Sequence, residues 1–138
     1  MIENLKFHHI GIACFDINKT VDFYIKLGYQ ASKITDDTIQ DIRICFLEKP
    51  DMPRIELLAP LDENSPVNRT LEASGVTPYH ICYEVENLEE TVKTLKKEKF
   101  VKVSKPAPAC AIDNRRVIFL FKKEVGLIEL VENHSSNI

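Results

Sequence analysis

Among 138 residues there is no tryptophan, with only four glycines and seven prolines, which excludes a collagen-like or Pro/Gly-rich low-complexity chain. No apolar run approaches the ~20 residues that a membrane-spanning helix needs. The start, Met1-Ile2-Glu3-Asn4-Leu5-Lys6, lacks a basic segment followed by an apolar one, so no signal peptide is expected. Neither sign of charge dominates: 18 basic against 21 acidic side chains give a formal net charge of -3 and a pI near 5.8. Without clustered Lys and Arg, neither nucleic acid nor an anionic membrane is an expected partner. No two of the four cysteines, Cys14, Cys45, Cys82 and Cys110, stand in a C-x-x-C spacing, which argues against a zinc ribbon or a redox motif. Three of them fall in apolar, strand-like runs, and all four are expected to be reduced thiols of a cytoplasmic protein. What is present is ordinary: 44% hydrophobic and 28% charged residues, at a length that suits one compact domain.

The chain repeats itself. Phe7-His8-His9-Ile10 overlays Pro78-Tyr79-His80-Ile81 at an offset of 71 residues, and the same offset aligns Asp16-Ile17 with Asn87-Leu88 and Tyr29 with Phe100. At an offset of 73, Arg43-Ile44-Cys45-Phe46-Leu47 meets Arg116-Val117-Ile118-Phe119-Leu120, and Ile55-Glu56-Leu57-Leu58 meets Ile128-Glu129-Leu130-Val131. Order, residue type and spacing agree across three blocks. Each half, about 6–61 and 78–132, reads as strand, helix and three strands. A linker over 62–77 carries its own short helix, opened by Ser65-Pro66 and closed by Gly75, and a polar tail runs over 133–138. Asp16 and Asn87 are the expected helix N-caps, with Gly28 stopping the first helix. The expected strands are Phe7–Cys14, Gln30–Thr35, Ile42–Glu48 and Arg54–Ala59, then Tyr79–Val85, Val101–Lys105, Arg116–Lys122 and Gly126–Glu132. The stretch 105–111 reads as a loop.

Side chains alternate between the faces of a strand, so His9 shares a face with the small residues Gly11 and Ala13, while Ile10 and Ile12 point to the other. His80 and Cys82 repeat the arrangement; His8 is expected on the outer face. Glu56 and Glu129 interrupt otherwise apolar strands, and burying a carboxylate costs several kcal/mol unless it is paired or bound to a cation. If the halves pack about a pseudo-twofold axis, His9, Glu56, His80 and Glu129 converge on it. Two neutral imidazoles and two carboxylates suit a divalent ion with room for water. Taken singly, a strand histidine is most often structural, and each glutamate could lie on a solvated sheet face. Arg43 and Arg116, also repeat-equivalent, either bind an anionic part of a substrate or snorkel from a sheet edge.

With these residues in view, the chain resembles the vicinal oxygen chelate superfamily, the glyoxalase I and methylmalonyl-CoA epimerase group. The motifs are His-His-Ile-Gly-Ile-Ala at 8–13, Asp22-Phe23-Tyr24 with Leu27-Gly28-Tyr29, Ile55 to Leu61, Tyr79-His80-Ile81 and Ile128-Glu129-Leu130. The resemblance implies an α+β fold of two tandem βαβββ modules forming an open, curved, eight-stranded mixed sheet. It implies a metal quartet of His9, Glu56, His80 and Glu129 around one divalent ion (cobalt, nickel, manganese or zinc), with Glu129 and Glu56 as candidate bases. It also implies a small acyl-thioester or hemithioacetal substrate and a homodimer. Leu58-Ala59-Pro60-Leu61 followed by Ser65-Pro66-Val67 resembles the epimerase branch. Bacterial glyoxalase I enzymes carry an arginine shortly after the first histidine and an asparagine after the second ligand. Here those neighbourhoods are Ile12-Ala13-Cys14 and Ala59-Pro60. Some epimerases place an additional carboxylate on the third strand, where this chain has Ile42-Arg43-Ile44-Cys45. The reaction expected is therefore proton abstraction next to a carbonyl, as in methylmalonyl-CoA epimerase. A lactoylglutathione lyase is the alternative, and a non-catalytic small-molecule binding or resistance protein is the alternative of another class. Iron dioxygenases of the group use two histidines and one glutamate, so Glu56 counts against that chemistry.

Overall fold

Asp16 and Asn87 stand in extended backbone just ahead of apolar-periodic runs, the geometry in which a short polar side chain can cap a helix. In the structure, a computed structural model that describes residues 2–134, both do so. Asp16 accepts the Lys19 amide at 3.2 Å ahead of α1 (Ile17–Lys26), and Asn87 accepts the Glu90 amide at 3.0 Å ahead of α3 (Leu88–Lys97). Gly28, at φ +94°, turns the chain out of α1 in a conformation that a residue with a side chain rarely adopts. The linker helix α2 (Val67–Ser74) follows Ser65, whose hydroxyl accepts the Val67 amide at 3.4 Å. Among the described residues no helix is long and apolar enough to cross a membrane.

The chain divides into two compact units: residues 9–79, and residues 2–8 together with 80–134. The divisions fall inside β1 (Lys6–Ala13) and β6 (Thr77–Val85). In the first unit β1 runs parallel to β5 (Ile55–Pro60). β5 pairs antiparallel with β4 (Ile42–Glu48), and β4 with the short strands β2 (Gln30–Ala31) and β3 (Thr35–Asp37). The second unit repeats the pattern. β6 is parallel to β10 (Gly126–Glu132), and β10 is antiparallel to β9 (Arg115–Lys122), which pairs with β7 (Val101–Lys102) and β8 (Ala107–Ala109). Each unit thus carries an open, mixed sheet whose main path is four strands long, the βαβββ order expected from the sequence.

One face of each sheet buries its helix. Ile17 and Val21 of α1 pack on Cys45, Leu47, Leu57 and Ala59, and Leu88 and Leu95 of α3 pack on Ile118, Leu120, Ile128 and Leu130. Each fully buried leucine contributes roughly 2–3 kcal/mol. The period of two then sends Glu56 and Glu129 to the opposite face. Of the cysteines, Cys14, Cys45 and Cys82 are buried and Cys110 is exposed, all as thiols.

Two expectations are corrected. The strands expected over 30–35 and 101–105 stop after two residues, because a serine hydroxyl replaces the next backbone acceptor. Ser32 Oγ accepts the Phe46 amide at 2.9 Å, and Ser104 Oγ accepts the Phe119 amide at 3.0 Å. The stretch read as a loop over 105–111 contains β8 and the start of a 3-10 turn, Cys110–Ile112. Pro108 is tolerated in β8 because β8 pairs with β9 alone, as an edge strand can. Asp113 and Asn114 form the expected turn, both with left-handed backbone, at φ 54° and 58°. Of the expected tail, residues 135–138 lie outside the described residues.

Candidate metal centre

The residues opposite Glu56 explain how a carboxylate fits inside an apolar strand. In the parallel pairing it faces Gly11, and in the antiparallel pairing it faces Phe46. Gly11 leaves room beside it, and His9, two residues earlier on the same face of β1, fills the diagonal. His9 Nε2 lies 3.4 Å from Glu56 Oε1, with the two side chains 0% and 5% exposed. The second unit repeats this position by position. Glu129 faces Cys82 on one side and Phe119 on the other, and His80 is again two residues before the small residue. His80 Nε2 lies 3.0 Å from Glu129 Oε1, with side chains 1% and 3% exposed. Phe46 meets His9 edge to face, and Phe119 meets His80 in the same way.

Each pair offers one imidazole nitrogen and one carboxylate oxygen from a buried setting. Adjacent ligands of a six-coordinate ion with bonds of ~2.1 Å stand about 3 Å apart, which the Nε2–Oε1 separations match. His9, Glu56, His80 and Glu129 therefore have the chemistry and the within-pair spacing of divalent-ion ligands.

The arginines singled out in the sequence lie elsewhere. Arg43 alternates with Cys45 and Leu47 onto the helix-side face and forks onto Asp36 at 2.8 and 3.3 Å. Its hydrogen bond holds the Asp36 carboxyl below the usual carboxylate range, although both side chains are about half exposed. Arg116 shares a face with Ile118 and Leu120 and bridges Glu89 at 2.7 Å and Glu132 at 2.8 Å. The residue that sequence reasoning passed over is Arg115. It alternates with Phe119 onto the face of Glu129, and its side chain is 5% exposed. Nη1 donates to Glu84 at 2.8 Å and to the Glu132 carbonyl at 3.3 Å, and Nη2 lies 3.1 Å from His8 Nε2. His8, expected on the outer face, is buried, because it packs against this guanidinium.

Residues 8–119 match the family described as the Glyoxalase/Bleomycin resistance protein/Dioxygenase superfamily. The chain belongs to this superfamily. Among curated superfamily proteins, the human mitochondrial methylmalonyl-CoA epimerase is 34% identical over 131 residues, covering 91% of this chain and 72% of its own length. The ethylmalonyl-CoA/methylmalonyl-CoA epimerase of Cereibacter sphaeroides is 30% identical, covering 91% and 96%. The crystal structure of methylmalonyl-CoA epimerase from Mycobacterium tuberculosis superposes with a TM-score of 0.83 at 27% identity, over 96% of this chain and 92% of that one. Homologues of this superfamily member are thus epimerases, and it shares their fold, a mixed open sheet with three helices.

Proposed function

We propose that this chain is a methylmalonyl-CoA epimerase, with His9, Glu56, His80 and Glu129 holding one divalent ion. The observation that carries the reading is the duplicated buried pair, one imidazole and one carboxylate in the same register in both units. The epimerase relatives support it over a lactoylglutathione lyase or a sequestering protein. The carbon to be inverted in a methylmalonyl thioester lies between two carbonyl groups. A divalent ion at this centre supplies Lewis-acid stabilisation of the negative charge that develops on the thioester oxygen. Glu129 and Glu56 would supply the proton transfers: the ionised one takes the α-proton and becomes the acid, while the other, carrying a proton taken up from solvent, gives it to the opposite face of the planar carbon and is left ionised. Beside the flanking phenylalanines and the buried imidazoles, the Glu56 and Glu129 side chains are only 5% and 3% exposed. Cobalt, nickel, manganese and zinc all suit this donor set. A homodimer and a cytoplasmic location belong to the same reading, and light scattering of the purified chain tests the first.

The deciding experiment incubates the metal-loaded chain with methylmalonyl-CoA of one configuration in deuterium oxide. Mass spectrometry then follows deuterium at the α-carbon, and a stereospecific coupled assay follows inversion. Exchange and inversion should both rise well above the background, and Glu129→Gln and Glu56→Gln should each lose most of the inversion. No exchange with any of the four metals overturns the reading. One ion per chain, measured by elemental analysis, is the stoichiometry that a shared quartet requires.

A further inference from the structure

Phe46 and Phe119 hold the same place in the two units. Each is the cross-strand partner of the buried glutamate, Phe46 of Glu56 and Phe119 of Glu129. Each ring also reaches the histidine on the strand beyond. The centroids of Phe46 and His9 are 5.4 Å apart at 75° between planes, and those of Phe119 and His80 are 5.2 Å apart at 88°. In each unit these strands are second neighbours, roughly 9.5 Å apart in a sheet, so both side chains lean over the strand that carries the glutamate.

The backbone of each phenylalanine is fixed as well. The Phe46 amide donates to Ser32 Oγ at 2.9 Å, and its carbonyl accepts the Ser32 amide at 2.8 Å. The Phe119 amide donates to Ser104 Oγ at 3.0 Å, and its carbonyl accepts the Val103 amide at 2.9 Å. The edge strand breaks beside each phenylalanine, yet a serine hydroxyl keeps its amide satisfied. A similar irregularity thus occurs twice, each time at a phenylalanine that meets an imidazole.

An apolar filler would not need a ring here. The terminal torsion of histidine is broad, and the Nε2 lone pair lies in the ring plane, so the plane in which the imidazole is held decides where Nε2 points. An edge-to-face neighbour restricts that torsion, because tilting either ring brings like-charged parts together. We propose that Phe46 and Phe119 are positioning residues of the metal centre, each holding its imidazole in the plane from which Nε2 binds. This rests on the reading that His9, Glu56, His80 and Glu129 hold a divalent ion.

The test titrates apo protein with cobalt(II) against a chromophoric chelator and records the visible cobalt spectrum. It compares wild type with Phe46→Leu, Phe119→Leu, Phe46→Tyr and Phe119→Tyr. Supporting groups behind metal ligands change affinity by about 10–100-fold, and each leucine variant should lose about 10-fold with an altered spectrum. Each tyrosine variant, which keeps the ring, should stay within about twofold of wild type and keep its spectrum. Circular dichroism of the apo proteins checks folding, and methionine replaces leucine where a leucine variant does not fold. Leucine variants that bind cobalt like wild type overturn the proposal, and so do tyrosine variants that lose as much as leucine. Wild type that takes up no cobalt overturns the metal reading itself, and this proposal with it.

Discussion

Replacing Glu84 with glutamine removes the charge partner of an almost fully buried cation. The Arg115 side chain is 5% exposed and Glu84 23%, with Nη1 and Oε2 2.8 Å apart. After the substitution Arg115 keeps the Glu132 carbonyl at 3.3 Å and His8 Nε2 at 3.1 Å, and neither neutralises its charge. Breaking a buried pair from one side costs roughly 3–5 kcal/mol. Partial exposure of Glu84 admits water and places this case at the low end, about 3 kcal/mol. For a chain of this length that lowers Tm by roughly 10 °C. The pH dependence has a defined sign. Burial pushes the Glu84 carboxyl up, but the Arg115 hydrogen bond and the neighbouring positive charge, Arg115 foremost, outweigh it and leave it below its ordinary value of 4.5. Such a group contributes stability above its unfolded value and loses it as pH falls through the folded one. The gap between wild type and Glu84→Gln should therefore be full at neutral pH and close progressively below about pH 4.5. Removing both charges, in Arg115→Met with Glu84→Leu, should cost much less than the sum of the single changes. Urea denaturation of wild type, Glu84→Gln, the two single changes and the double variant across pH measures all of this. A cost for Glu84→Gln under about 1 kcal/mol, or a gap that persists undiminished well below the folded value, refutes the reasoning.

Further outcomes follow from the same structure. Asp16→Ala and Asn87→Ala should each lose about 1 kcal/mol in urea denaturation, with glycine at either position losing only a few tenths. Leu57→Ala and Leu130→Ala, at 0% and 1% exposure in equivalent places under α1 and α3, should each cost about 3 kcal/mol, and a twofold difference between them would show unequal relaxation of the two cores. Divalent ion at 100 times its Kd should stabilise the chain by about 2.7 kcal/mol, seen as a chelator-sensitive rise in Tm that Glu56→Gln and Glu129→Gln abolish.

The fold was legible where one period governed many residues. Helix α1 and helix α3 announce themselves through Asp16, Asn87 and the apolar stripes behind them, and β10 matches its expected span of Gly126–Glu132. The edge strands were not legible, because their ends depend on a side chain acting as backbone. Nothing local marks Ser32 or Ser104 as the acceptor for an amide 14 or 15 residues away, and in Ala107-Pro108-Ala109 the proline hides a strand that needs hydrogen bonds on one side only.

The site shows the same division more sharply. The burial of His9, Glu56, His80 and Glu129 inside their strands was legible because each breaks an apolar alternation, and the cost of burying a carboxylate makes such a break informative. For the arginines the repeat misdirected attention. Arg43 and Arg116 align, and alignment drew notice to them, yet both fall on the helix-side face with carboxylates of their own. The neighbouring Arg115 has no arginine partner in the first half, where Ile42 aligns with it, and so the repeat passed it over. Counting in twos back from Phe119, which faces Glu129, arrives at residue 115 and never at 116. A one-residue step moves a side chain through the sheet, whereas a repeat offset preserves its face. In a duplicated β-protein the repeat therefore identifies what the halves share, and the strand period must be counted separately to find what one half has acquired alone.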